Sequence, residues 1–61
     1  MYYRIYAKFK GQTKFEALDL STGAQVKNLI RATLVDENNI GKVQKIIEDN
    51  KEVQFEIRKV K

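Results

Sequence analysis

Apolar and polar side chains alternate with a period of two over the first ten residues. Such alternation predicts a half-buried strand from Tyr2 to Lys10. Its apolar face carries Tyr3, Ile5, Ala7 and Phe9. Its other face is basic and aromatic and carries Tyr2, Arg4, Tyr6, Lys8 and Lys10. A strand that buries the first set presents the second on the opposite side of the sheet, which we call the outer face.

A second strand is predicted at 14–20, after a tight turn that begins at Gly11. We expect the two strands to form a hairpin in which Tyr6 faces Leu18. Leu18 and Leu20 then lie on the outer face, beside the tyrosines of the first strand. This register predicts an aromatic and aliphatic surface on that side of the sheet.

The segment from Ala24 to Val35 fits two patterns. The turn before it has Gly23 where a left-handed residue is needed. As a strand, the segment is rich in β-branched residues over 30–35. As a helix, it has apolar residues at the spacing of an amphipathic face, namely Val26, Leu29, Ile30 and Leu34. We favour the strand and keep the helix as the alternative.

A helix is predicted after Asp36, because this residue and its neighbours suit a helix start. Its apolar stripe consists of Ile40, Val43, Ile46 and Ile47. Asn50 suits a left-handed stop at the end of the helix. The alternation from Val53 to Lys59 then predicts a last strand with a polar outer side.

These elements predict a single α+β domain over residues 1–61, in the order β-β-β-α-β. We expect a mixed sheet of four strands, in the spatial order 3-2-1-4, with the helix on one face. The helix would return the chain across the sheet, so the last strand would run parallel to the first and third. The helical interpretation of 24–35 gives β-β-α-α-β instead, and a second helix would then cover the outer face.

The composition of the chain limits the kinds of catalytic and metal-binding site that it can form. The sequence has no Cys and no His, so it lacks disulfides, thiolate metal ligands and the commonest general base. Ser21 lies in a turn without a His to activate it. The three glycines fit no phosphate-binding spacing. We therefore expect no enzymatic activity, no cofactor, no metal site and no small-molecule substrate.

The net charge of +4 lies entirely in the first half of the chain. Residues 1–31 hold six basic and two acidic side chains, whereas 32–61 hold six of each. This excess of positive charge either keeps the protein soluble or binds an acidic protein surface or a phosphate backbone. One hypothesis is therefore nucleic-acid binding, with these side chains on phosphates and the tyrosines on bases: Arg4, Lys8, Lys10, Lys14 and Arg31.

Protein binding is the preferred hypothesis. One helix covers only one face of the sheet, and an uncovered face with tyrosines and leucines is typical of a protein contact. A domain of about 60 residues also buries little surface by itself, so a partner or a second copy would add stability. The predicted partner-binding residues are Tyr2, Arg4, Tyr6, Lys8, Leu18 and Leu20.

Three runs of sequence carry a resemblance: FEALDLSTG at 15–23, NLIRATL at 28–34 and FEIRKV at 55–60. They resemble small uncharacterised proteins that phages and mobile elements of Gram-positive bacteria encode. The resemblance implies a setting in which small proteins bind a larger host protein and modulate it. It implies no particular functional residues.

The sequence offers no apolar run of membrane-spanning length. The N-terminus has no apolar stretch after a basic start, so we expect no signal peptide. These features predict a cytoplasmic protein without membrane contact.

Overall fold

The computed structural model describes residues 1–60. Within them it has five strands, one short 3₁₀ helix and one α-helix. In chain order these are β1 (Tyr2–Lys8), β2 (Glu16–Asp19), β3 (Ala24–Val26), the 3₁₀ helix (Leu29–Arg31), β4 (Leu34–Asp36), α1 (Ile40–Asp49) and β5 (Gln54–Val60). The α+β class with one α-helix is confirmed. The expected sheet of four strands is wrong, since the described residues form five.

Strand β1 lies at the centre of the sheet. It pairs antiparallel with β5 along its whole length, from Tyr2 opposite Val60 to Lys8 opposite Gln54. Its other edge is shared, because β4 pairs with residues 2–4 and β2 pairs with Tyr6 and Ala7. The last strand therefore lies beside the first, as expected.

The expected parallel direction of the last strand is wrong. Strand β4 adds one reversal that the sequence interpretation lacked, so the chain enters α1 running opposite to β1. The helix returns the chain, and β5 then runs parallel to β4 and antiparallel to β1. Strands β4 and β5 thus form a β-α-β unit with β1 inserted between them.

Segment 24–35 is neither one strand nor one α-helix, so both interpretations of it are wrong. The turn before it has Gly23 at φ +74°, which confirms the left-handed position. Strand β3 pairs with β2 and ends at Val26. The side chain of Asn28 then accepts a hydrogen bond from the backbone N–H of Ile30 and begins the 3₁₀ helix. Side-chain capping of this kind competes with both regular structures.

The β1–β2 register differs by one residue from the expected one. Tyr6 lies opposite Ala17 rather than Leu18. The turn is displaced towards β1, because Gln12 donates its backbone N–H to the Phe9 carbonyl at 3.0 Å. The Gln12 side chain also accepts from the Phe9 N–H at 2.8 Å. A shift of one residue moves every side chain of β2 to the other face.

The hydrophobic core lies between α1 and the face of β1 that carries Ile5. Its buried side chains are Ile5, Ala7, Leu18 and Val35. Ile40, Val43 and Ile47 pack against them from α1, as the apolar stripe predicts. Ile46, the fourth member of that stripe, remains 64% exposed.

The ends of α1 differ in part from the expectation. The Asp36 carboxylate accepts hydrogen bonds from the backbone N–H groups of Asn38 and Asn39, just before the helix begins at Ile40. It therefore supports the helix start, as its charge suggests. Asn50 ends the helix at φ −111°, so its expected left-handed conformation is wrong.

Candidate functional site

The outer face is the side of the sheet opposite α1. The β1 residues expected there, Tyr2, Arg4, Tyr6 and Lys8, alternate with the core residues of the same strand. Strand β5 contributes the residues opposite them, which are Val60, Arg58, Glu56 and Gln54. Four of the six predicted partner-binding residues thus share one face.

The two predicted leucines do not join them. Leu18 is 4% exposed and belongs to the core, because the one-residue register shift turns it towards α1. Leu20 is 38% exposed and lies on the helix side. There it lines an apolar groove of about 280 Å³ together with Val43 and Ile46. The expected placement of Leu18 and Leu20 on the outer face is wrong.

The side of the outer face near β3 is covered from within the chain. Leu29 of the 3₁₀ helix lines a shallow depression with Tyr6, Ala17 and Val26. Ala17 itself is only 2% exposed. The outer face is therefore less open than the sequence predicts.

The side near β4 is open. Leu34 lies directly opposite Arg4 and is 50% exposed, and Tyr2 on the neighbouring strand is 51% exposed. Residues offset by two positions on adjacent strands are within reach of each other when the side chains are large. Leu34 was not among the predicted site residues. The face on which it lies depends on the β4 register, which the sequence pattern over 24–35 did not determine.

Tyr6 is covered by a cation. The guanidinium carbon of Arg58 lies 4.1 Å from the centroid of the Tyr6 ring, which is a cation–π contact. Arg58 also donates from Nε to Oε1 of Glu56 at 2.7 Å. This hydrogen bond lowers the pKa of Glu56 and raises the pKa of Arg58. The three side chains form a charged and aromatic cluster on the β5 side of the outer face.

A second cation lies over an aromatic ring at the far end of β1. Lys8 Nζ is 5.2 Å from the centroid of the Phe15 ring. Phe15 directly precedes β2, and the observed register places it beside Lys8 on the outer face. Two of the aromatic rings near the outer face thus have basic side chains of the same chain against them.

Arg4 lies between Leu34 of β4 and Arg58 of β5, which are its neighbours on the two adjacent strands, and it is half-buried. Its Nε is the one buried side-chain nitrogen or oxygen of residues 1–60 without a hydrogen-bond partner. A buried donor without a partner costs about 1–3 kcal/mol.

The five basic residues of the nucleic-acid hypothesis lie on different elements. Arg4 and Lys8 are on the outer face, whereas Lys10 and Lys14 are exposed in the loop between β1 and β2. Arg31 is exposed in the 3₁₀ helix. The structure therefore places two of the five on the outer face of the sheet.

Other kinds of site are not evident in the described residues. Residues 1–60 contain no group of three or more acidic, His or Cys side chains placed to hold a metal ion. The same part of the chain has no helix with the length and apolarity to cross a membrane.

Comparisons with known proteins add no relative. The resemblance to small proteins of phages and mobile elements therefore stays a prediction. No protein-family model, curated protein or solved structure matches the chain.

Proposed function

We propose that this chain is a small non-enzymatic module that binds a protein partner through the open part of its outer face. The observation that carries the proposal is the pair Tyr2 and Leu34, each about half exposed on adjacent strands of the sheet. Exposed apolar side chains next to one another favour a protein contact. Tyr is also enriched at the centres of protein interfaces.

The charges around this pair indicate the chemistry of the partner. Arg4 lies opposite Leu34, and its Nε has no hydrogen-bond partner. Lys8 and Arg58 add positive charge along the same face. A matching surface would present apolar side chains to Tyr2 and Leu34 and carboxylates to the basic residues. In the setting that the resemblance implies, the partner is a host protein in the cytoplasm that the module binds and modulates.

Nucleic-acid binding is the second candidate, and the arrangement of the rings favours it less. Base stacking requires aromatic faces that are free to receive a base. Arg58 lies against Tyr6 and Lys8 lies against Phe15, so these rings are already engaged within the chain. Tyr2 is the more accessible tyrosine of the outer face, at 51% exposure. One accessible ring supports a protein contact better than a row of stacked bases.

The first experiment is a pull-down with tagged protein from a Gram-positive bacterial lysate, with and without nuclease treatment. The double variant Tyr2→Ala/Leu34→Ser removes the open apolar pair. The matched control, Ile46→Ser, removes an exposed apolar side chain from the opposite side, where Ile46 is 64% exposed. A partner captured by the wild type is then purified and titrated against all three proteins.

The proposal predicts that the double variant binds the purified partner at least about tenfold more weakly, whereas Ile46→Ser binds like the wild type. Equal affinities for the double variant and the wild type would contradict the proposal. Capture that disappears with nuclease, together with binding to nucleic acid that weakens steeply with salt, would favour the second candidate instead.

A further inference from the structure

Strand β5 forms a long open edge of the sheet. It has seven residues and pairs with β1, and no other described strand pairs with it. The edge strand on the opposite side, β3, has only three residues. An unpaired edge of this length presents backbone donors and acceptors that suit another strand. It contains no proline that would block such pairing.

Hydrogen bonds elsewhere in the sheet show which backbone groups of β5 point outwards. The Asp19 carbonyl accepts from the Gly23 N–H at 2.7 Å, so Asp19 points its backbone towards β3. Directions alternate along a strand, so Leu18 and Glu16 point theirs towards β1. Independently, the Ala7 carbonyl accepts from the Gln25 side chain at 2.9 Å, so Ala7 points towards the same edge.

The remaining directions follow by alternation. Since Ala7 points its backbone groups towards β2, Tyr6 points its own towards β5. Tyr6 lies opposite Glu56, so Glu56 bonds to β1, and by alternation Gln54, Arg58 and Val60 do so as well. The backbone groups of Phe55, Ile57 and Lys59 therefore point to the open edge.

We propose that a second copy of this chain occupies that edge, with the two β5 strands antiparallel about a two-fold axis at Ile57. In this register Ile57 lies opposite Ile57 of the second copy, and Phe55 lies opposite Lys59 of the second copy. All three outward-pointing residues of each strand then pair. The two sheets become one continuous sheet of ten strands.

The charges of Glu56 and Arg58 favour this register over the two neighbouring registers. Outward-pointing residues can also pair after a shift of two positions in either direction. One shift places Glu56 opposite Glu56 of the second copy, and the other places Arg58 opposite Arg58. The Ile57 register places Glu56 opposite Arg58 twice. Like charges directly opposite each other destabilise a strand pair, whereas opposite charges stabilise it.

The dimer extends contacts that each chain already makes. Arg58 bonds Glu56 of its own strand at 2.7 Å, so each carboxylate in the dimer lies between two guanidinium groups. On the core side, the half-buried Ile57 gains the same side chain of the second copy as an apolar neighbour. The proposal uses the backbone edge of β5 and does not rest on the open apolar pair of the outer face.

Charge reversal tests the register. Glu56→Arg and Arg58→Glu each place like charges opposite one another in a homodimer, but an equimolar mixture of the two variants restores opposite charges across the axis. Sedimentation equilibrium over a range of concentrations measures the association of each sample. Mixing cannot restore the Glu56–Arg58 bond within one chain, so recovery on mixing reports contact between chains.

We expect the wild type to reach twice its 7.1 kDa mass, each variant alone to associate at least tenfold more weakly, and the mixture to recover. A wild type that stays monomeric up to millimolar concentration would overturn the proposal. So would a dimer that either reversal leaves intact, or a mixture that fails to recover. Weaker self-association in Tyr2→Ala/Leu34→Ser without a loss in the reversals would place the dimer contact on the outer face instead.

A backbone variant provides a second test. Lys59→Pro removes an N–H that points to the open edge, and it leaves the β1–β5 hydrogen bonds in place. Arg58→Pro, one residue away, removes an N–H that bonds to β1. We expect Lys59→Pro to be folded and monomeric, whereas Arg58→Pro loses stability as well. A dimeric Lys59→Pro would contradict the proposed pairing.

Discussion

The two edges of β1 are built in different ways. On one side, β5 pairs with all seven residues of β1 without interruption. On the other, β2 and β4 share the edge, and the chain leaves it between Asp19 and Leu34 to form β3 and the 3₁₀ helix. One edge of β1 thus pairs with a single continuous strand. The other pairs with two short strands that β3 and the 3₁₀ helix separate in the sequence. The comparison shows that a regular sheet edge need not come from a continuous sequence pattern.

Thr33 joins the two pieces of the interrupted edge. Its backbone N–H donates to the Leu18 carbonyl at 3.1 Å, and its hydroxyl accepts from the Leu20 N–H at 2.8 Å. The Asp19 carboxylate accepts from the Ser21 hydroxyl at 2.6 Å and holds the turn that leaves the edge. The continuous edge needs no such side-chain bonds, because its ladder is unbroken.

The largest expected effect on stability is at Ile5, which lies in β1 between the two edges and belongs to the core. Ile5 is 1% exposed, so Ile5→Ala should lower the free energy of unfolding by about 2–5 kcal/mol. A domain of this size has only about 3–9 kcal/mol in total, so the variant should be close to unfolding. Urea titration followed by circular dichroism measures the change.

The matched control makes the same substitution on the surface. Ile30 is 90% exposed, so Ile30→Ala should change the stability by less than about 0.5 kcal/mol. Equal effects of the two substitutions would show that the sheet does not bury the Ile5 face.

The next effect compares the two pieces of the interrupted edge. Leu18 in β2 is 4% exposed and faces the core, whereas Leu34 in β4 is 50% exposed on the outer face. Leu18→Ala should lower the free energy of unfolding by about 2–4 kcal/mol. Leu34→Ala should cost less than about 1 kcal/mol. The reverse order in urea titrations would support the register in which Leu18 lies beside Tyr6.

The two edges of β1 also differ in how far the sequence predicts them. The alternation in β1 and β5 placed both strands within two residues, and it placed Tyr2, Arg4, Tyr6 and Lys8 on one face. Local alternation suffices there, because every residue of each strand has one continuous partner. Helix α1 was also predictable, because the spacing of its own apolar residues indicates a helix.

The interrupted edge was not predictable in this way. The face of Leu18 depends on a turn in which the Gln12 side chain bonds the backbone of Phe9. The division of 24–35 depends on side-chain bonds of Asn28 and Thr33. Such bonds offer the backbone an alternative to a helix or a strand, and the alternation of apolar and polar residues does not reveal them. Leu34 was missed, and Leu18 and Leu20 were misplaced, for this reason.

Thr33→Val tests the junction directly. The variant keeps the shape of the side chain but removes the hydroxyl that accepts from Leu20. We expect a loss of about 1 kcal/mol, the typical contribution of one hydrogen bond. Thr13→Val is the matched control, because Thr13 is exposed in the turn between β1 and β2. Equal melting temperatures for the two variants would show that the Thr33 hydroxyl does not hold the edge together.

The smallest effects are those of pH, and they differ between the two edges. The Ser21 hydrogen bonds lower the pKa of Asp19 below its ordinary value, and Arg58 lowers that of Glu56. A carboxyl whose pKa is lower in the folded state stabilises the fold above its unfolded pKa of about 4. This contribution is lost as the pH falls through the folded pKa. Stability should therefore decrease from pH 6 to pH 3, and less so in Asp19→Asn and in Glu56→Gln.

Salt separates the two contributions. Neutral donors, chiefly those of Ser21, bond Asp19, whereas Glu56 bonds the charged Arg58 at an exposed position. At about 1 M salt the screening length is only about 3 Å, which weakens the exposed ion pair. In urea titrations of the monomer, high salt should therefore make Glu56→Gln behave like the wild type between pH 6 and pH 3. Asp19→Asn should keep its flatter profile in the same salt. If salt instead removed the difference at Asp19, charge rather than hydrogen bonding would stabilise the turn that interrupts the edge.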